Sequence, residues 1–111
     1  MDRRTHYRQL IMQILDDYAQ YPPSYGDIEL EKVIDQGGDH YQLLSVGWHN
    51  HQRVHACILH IDIRAGKIWI QHDGTGEGIA NRLLMQGVPP QDIVLGFHSP
   101  FKRQFTEFAI G

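Results

Sequence analysis

The sequence predicts an α+β fold: an N-terminal helix, a four-stranded antiparallel meander, a second helix and an aromatic C-terminal tail. Three observations predict it. Apolar residues recur at helical period near the N-terminus, and four strand-like runs then follow one another across short turns. All four phenylalanines, Phe97, Phe101, Phe105 and Phe108, fall in the last fifteen residues.

The first helix rests on Tyr7, Leu10, Ile11, Ile14, Leu15 and Tyr18, which form one stripe with Arg8, Gln9, Gln13, Asp16 and Asp17 off it. Asp2 can cap its start. Tyr21-Pro22-Pro23 stops it, because proline disfavours α geometry in the residue before it. In the first strand Ile28, Leu30 and Ile34 alternate with Glu29, Glu31 and Asp35, giving one dry and one wet face. Gln36-Gly37-Gly38-Asp39 turns the chain into Tyr41 to Trp48, then His49-Asn50-His51-Gln52 into Val54 to Ile63. Arg64-Ala65-Gly66-Lys67, with Gly66 at the positive-φ position, leads into Lys67 to His72. Turns this short force antiparallel neighbours, since parallel pairs need a long crossover. Gly74-Thr75-Gly76-Glu77-Gly78 then opens a short helix over Ile79, Ala80, Leu83 and Leu84, with Thr75 as N-cap and Gly87 as the residue beyond its end. Pro89-Pro90-Gln91-Asp92 reads as a turn and Ile93-Val94-Leu95 as a brief apolar segment.

At 111 residues the chain has room for one domain, spanning 1–111, which buries about 65% of its unfolded surface. A 41% hydrophobic and 21% charged composition is that of a globular chain. The single cysteine, Cys57, rules out an internal disulfide and suits a reducing cytoplasm. No apolar stretch approaches membrane-spanning length, and no apolar region follows Arg3-Arg4 as a secretory signal requires. Net charge is −3, with a pI near 6.2. Bare DNA affinity is therefore a poor expectation, because phosphate binding needs a basic face.

Candidate chemistry is thin. Eight histidines include His49, His51 and His55 around one turn, and His60 and His72 on neighbouring strands. A metal site would need carboxylates or cysteines converging with them, and no C-x-x-C or H-E-x-x-H occurs. Solvated histidines are the simpler reading. Cys57 lies in an apolar run, and strict alternation puts His60 on the opposite face, with only His55 on its own side. The glycine-rich stretch 74–78 sits where backbone amides could hold phosphate, yet Ile79 replaces the third glycine and Glu77 would repel an anion. The carboxylate pairs Asp16-Asp17 and Glu29/Glu31 read as solvated, and no serine has a nucleophile's setting. Lys102-Arg103 between Phe101 and Phe105 mixes charge and rings as single-strand binders do, but two cations carry little affinity. Rings packed under a tail whose charges face water is the plainer reading.

The second and third strands are apolar on both alternating sets. If two helices cover one face, the tail and then another molecule must cover the other, so a homo-oligomer or a protein partner is expected. Trp48, Trp69, Phe97, Phe101 and Phe105 are the interface candidates, since aromatics dominate both cores and interfaces.

The chain resembles the XisI-like excision-controlling factors, found mainly in cyanobacteria. The resemblance rests on Pro23-Ser24-Tyr25-Gly26-Asp27, Asp39-His40-Tyr41-Gln42-Leu43-Leu44 with Gly47-Trp48, and Gly66-Lys67-Ile68-Trp69-Ile70-Gln71-His72. It continues through Gly87-Val88-Pro89, Asp92-Ile93-Val94-Leu95-Gly96-Phe97-His98 and the tail from Pro100 to Ala109. The departure is at Gly76 and Gly78, where better helix formers are expected. The resemblance implies an accessory to a site-specific recombinase that excises a DNA element during heterocyst differentiation, encoded beside XisH, a partner of nuclease-like fold.

These readings combine into a non-enzymatic controlling factor that acts by protein–protein contact with a XisH-like partner, with no catalytic residue, cofactor or metal. Two alternatives remain open. One is a direct DNA-binding accessory whose oligomer gathers Arg3, Arg4, Arg8, Lys102 and Arg103 onto one surface. The other is a small-ligand or metal-dependent enzyme using the histidine-rich sheet.

Overall fold

A computed structural model describes residues 2–111. Helix α1 runs Arg3–Ala19, and the Asp2 carboxylate accepts from the Thr5 amide at 2.8 Å, satisfying one of the free N–H groups of the first turn. It buries Tyr7, Ile11, Ile14 and Leu15. Strands β1 (Asp27–Asp35), β2 (His40–His49), β3 (Gln52–Arg64) and β4 (Lys67–Asp73) form the expected antiparallel meander. Both tight hairpins have two consecutive positive-φ residues, Asn50 (48°) with His51 (66°) and Ala65 (49°) with Gly66 (76°). That geometry matches the right-handed twist of the strands they join.

The sheet has five strands, not four, and is mixed. Ile93–Leu95 forms β5, parallel to β4, in the order β1-β2-β3-β4-β5. A parallel neighbour needs a crossover, and helix α2 (Ile79–Met85) with the 3-10 turn Pro90–Asp92 supplies it. The start of α2 also differs from expectation. Thr75 is not the cap. Gly78 holds that position at φ 90°, and Asp73 bonds the Ile79 amide (2.8 Å), the Thr75 amide (3.0 Å) and the Thr75 hydroxyl (2.6 Å). At the other end Gly87 (φ 93°) closes the helix as expected, with Val88 N–H on Leu83 O and Gly87 N–H on Leu84 O.

One sheet face carries Tyr41, Leu43, Leu59, Ile61, Ile68, Ile70 and Ile93, all fully buried against α1 and α2. Each such side chain contributes about 1.5–3 kcal/mol. Two bulges interrupt the ladder. Ile58 is extra on β3 and Gln71 is extra on β4. Helix α3 (Pro100–Arg103), capped by Ser99, carries the tail over the opposite face at its β4–β5 end. There Ala109 bridges Val94 and donates to Ile93 O at 2.9 Å, and Val94 is fully buried. Among the described residues no helix is long and apolar enough to cross a membrane.

Candidate functional site

The face opposite the helices, called the open face below, is sealed at one end only. The tail covers β4–β5, while across β1–β3 Val33 and Trp48 are exposed and Leu44, Val46 and Cys57 are half-buried. Strand β4 pairs only with Leu59–Arg64 of β3. Residues Gln52–Cys57 therefore have no strand on their outer side among the described residues, and the far half of the β2–β3 hairpin, flanked by β1 on its β2 side as far as Trp48, extends beyond β4 as a ribbon with β3 as its open edge. Trp48 lies on this ribbon, 53% exposed, with the Arg53 guanidinium 5.3 Å from its ring centroid. A shallow groove beside it is lined by Gly26, Asp27, Ile28, Val46 and Arg53. Gly47 is required here: a Cβ would lie 2.0 Å from Asp27 O, so any side chain would force β1 away.

The other aromatic candidates divide. Trp69 is half-buried on the open face, held between the guanidiniums of Arg64 (5.3 Å) and Arg103 (5.0 Å). It pairs across β3 with Asp62, whereas Trp48 pairs with Arg53. Nine residues of β3 separate those two rows, roughly 30 Å at the usual strand rise, so the two tryptophans do not share a patch. Phe97 stands half in solvent against His98. Phe101 and Phe105 contact each other edge-on at 5.3 Å and are 69% and 73% exposed, not packed beneath the tail. From the tail, Arg103 lies over the Trp69 ring, Ala109 pairs along the outer edge of β5, and Phe108 is the one phenylalanine packed against the buried core.

The basic candidates are mostly engaged. Asp39, 3% exposed, accepts from Arg4 Nε (2.7 Å), Arg8 Nε (2.6 Å) and the Tyr41 hydroxyl (3.1 Å). Burial pushes the Asp39 carboxyl upward, but the Arg8, Arg4 and Tyr41 bonds outweigh it and hold it below the usual carboxylate range. Arg3 lies 3.4 Å from Asp92, which also accepts from the Tyr7 hydroxyl. Arg103 donates to His98 O and Ile110 O. Lys102 is exposed on α3.

On the open face, at the ends of β2 and β3 far from their hairpin turn, lies a polar cluster. Asp62, 3% exposed, accepts from His40 Nδ1 (2.8 Å), His60 Nε2 (3.0 Å) and Gln71 Nε2 (3.2 Å), with Arg64 3.7 Å from its second oxygen. Burial raises the Asp62 carboxyl, yet the His40, Gln71 and His60 interactions bring it below its ordinary value, and the same contact raises His40. His40, His60 and Asp62 are also the residues able to converge on a metal ion. The strands carrying His60 and His72 do pair, with the two residues opposite each other, but His49, His51 and His55 do not gather with the cluster.

Two motifs dissolve on inspection. The Ile58 bulge puts Cys57, opposite Leu44, on the same face as His60, opposite Gln42, contrary to strict alternation. The thiol bonds Leu59 O, and burial pushes its pKa up, so it is no activated nucleophile. In the glycine-rich stretch the amides of Thr75 and Ile79 bond Asp73 and so are not free to hold a phosphate.

The family described as XisI protein matches residues 1–110. The chain belongs to the XisI family. A solved XisI-like protein from Anabaena variabilis ATCC 29413 superposes with a TM-score of 0.91 at 39% identity, over 97% of this chain and 99% of that one. The fdxN element excision controlling factor XisI from the same organism gives 0.86 at 40% identity, over 99% and 100%. No curated protein matches. The XisI resemblance read from the motifs is thus established along the chain. Asp39, His40, Tyr41 and Trp48, quoted for that resemblance, include the buried anchor of α1, one arm of the polar cluster and the exposed ring of the ribbon. Sequence reasoning missed the cluster itself. Counted from the Asn50–His51 turn without a bulge, His40 would face Ile61, and only the extra Ile58 brings it opposite Asp62.

Proposed function

We propose that the chain is a non-enzymatic controlling factor of DNA-element excision that acts by protein–protein contact through its projecting β2–β3 ribbon, with a XisH-like protein as partner. The carrying observation is the ribbon: unpaired β3 backbone over Gln52–Cys57 beside the exposed ring of Trp48. An open strand edge is a template for another chain's backbone, and a large ring at its side supplies an anchor. The named relative, a controlling factor, supports the class of role. The same edge can receive a second copy of this chain, so the homo-oligomer is the second reading that this observation favours.

Direct DNA binding has less support. Arg3, Arg4, Arg8 and Arg103 are committed to Asp92, Asp39 and tail carbonyls, so forming a phosphate face would break native contacts. The test is co-purification of the chain with a XisH-like protein, together with the mass of each alone in solution. Capture by the wild type and loss with Trp48→Ala supports the reading. No complex at micromolar concentration, or a complex indifferent to Trp48→Ala and to Val46→Lys, overturns it. A shift assay on DNA at low salt separates the DNA alternative, which must weaken steeply as salt rises.

A further inference from the structure

We propose that His40, His60 and Asp62 form a binding site for one divalent first-row cation of the zinc class, distinct from the partner ribbon. Two neighbouring strands build it. His60 and Asp62 are two apart on β3 and so share a face, and His40 on β2 stands directly opposite Asp62. His40 Nδ1, His60 Nε2 and one carboxylate oxygen of Asp62 all lie within 4.8 Å of one another, close enough for a single ion to touch all three after small side-chain rotations. Both imidazoles already point a nitrogen at the same oxygen, at 2.8 and 3.0 Å.

The surroundings are those of a constructed site. Both bulges flank it: Ile58 sets the register that brings His40 to Asp62, and Gln71 is the extra residue of β4. Bulges commonly re-aim side chains beside functional positions. Gln71 donates to the second Asp62 oxygen, and Arg64 stands on that side too, fixing the carboxylate while leaving the first oxygen to the ion. Asp62 is nearly inaccessible although it points away from the helices, an unusual place to bury a carboxylate unless its contacts matter. Two imidazoles and a carboxylate suit zinc, cobalt or nickel rather than calcium or magnesium, which prefer all-oxygen shells. Side-chain exposures of 50% at His40 and 28% at His60 leave the remaining coordination position open toward solvent on this face.

The experiment is calorimetric titration of the chelator-stripped full chain with zinc chloride at neutral pH, repeated with cobalt chloride and a visible spectrum. One equivalent is expected, with cobalt bands of nitrogen–oxygen coordination. Removing even an outer-shell partner commonly costs about 10–100-fold in affinity, so His40→Gln and His60→Gln should each lose at least that much. The double variant His49→Gln with His51→Gln, which removes the turn imidazoles, should bind as the wild type does. His40 is half-exposed, so His40→Gln keeps the fold, to be checked by its melting curve. No stoichiometric uptake, uptake unchanged in His40→Gln, or uptake lost with the turn histidines would each overturn the assignment. None of these results depends on a partner protein, so the ribbon proposal stands or falls separately.

Discussion

Asp39→Asn isolates one charge that ties α1 to the sheet. Asp39 closes the β1–β2 turn at φ 56°, a left-handed conformation that asparagine also tolerates, so the substitution keeps shape and backbone while deleting the charge. Breaking a fully buried pair costs about 3–5 kcal/mol. Here Arg4 and Arg8 are 55% and 31% exposed and can rehydrate once released, which lowers the expected loss to about 2–3 kcal/mol. With a urea slope on the order of 1–1.5 kcal/mol/M for a chain of this size, the midpoint should fall by about 2 M. Asp39→Ala should cost about 1 kcal/mol more, because alanine has no local bond to offset its strain at positive φ. Since the native carboxyl titrates below its usual value, its contribution is present above the ordinary carboxylate range and fades as pH falls. The gap between wild type and Asp39→Asn should therefore close in acid. The variant also frees two guanidiniums, and weak salt-sensitive DNA retention absent from the wild type should appear. A loss under about 0.5 kcal/mol in urea, or wild-type DNA retention equal to the variant's, would refute the claim that this carboxylate holds the arginines.

Three further outcomes follow from the same geometry. The Tyr7 hydroxyl, buried and bonded to Asp92, titrates at about 12, so its neutral form favours the fold. About 2–3 kcal/mol of stability should be present below pH 10 and drain as pH rises toward 12, as seen by urea unfolding across that range, and Tyr7→Phe should lack this component. Asp73→Ala removes the carboxylate that caps α2 and should cost about 1–2 kcal/mol, with faster amide exchange at Ile79 and Thr75 as the local signature. Trp69→Ala, which removes the ring between Arg64 and Arg103, should destabilise by about 2–3 kcal/mol, whereas Trp48→Ala should change thermal stability little.

What the sequence made legible was what neighbours along the chain decide. Helix α1 has a cap at Asp2, a stripe at helical period and a proline stop, all within twenty-three residues. The hairpins carry their geometry in Asn50 and Gly66. Strand β5 was different: three apolar residues have no measurable period, and only the α2 crossover makes Ile93–Leu95 a strand parallel to β4. The bulges at Ile58 and Gln71 leave no mark in composition, yet the first puts Cys57 on the face of His60 and assembles His40 with Asp62, and the second adds Gln71, which donates to that carboxylate. The partners of the arginines were hidden for another reason. Arg8 and Asp39 stand 31 positions apart, and Arg3 and Asp92 stand 89 apart, so which cations are neutralised depends on the closed fold. The tail rings show the same gap. Phe101 and Phe105 look like core by chemistry, but both are exposed, while Ala109 pairs along the edge of β5 and Phe108 packs on the core.

The open face changes character along its length, and that gradient argues for a ribbon built to be met. At the strand ends far from the β2–β3 turn the tail closes β4–β5 and Asp62 with its partners fills β2–β3, and at the hairpin tip backbone and Trp48 are bare. A bare edge invites uncontrolled pairing, and folded proteins blunt such edges with charge. The first residues of this one are Gln52, Arg53, Val54 and His55, and Arg53 lies over the Trp48 ring. A cation on an exposed ring is worth about 0.5–1 kcal/mol, enough to shield the tryptophan in the free chain and small enough for a partner to displace. Strand β4 stops at Asp73, opposite Leu59, and leaves the rest of β3 open on that side. An edge left open, with an aromatic beside it under a removable cover, is the arrangement expected of a surface completed by another chain.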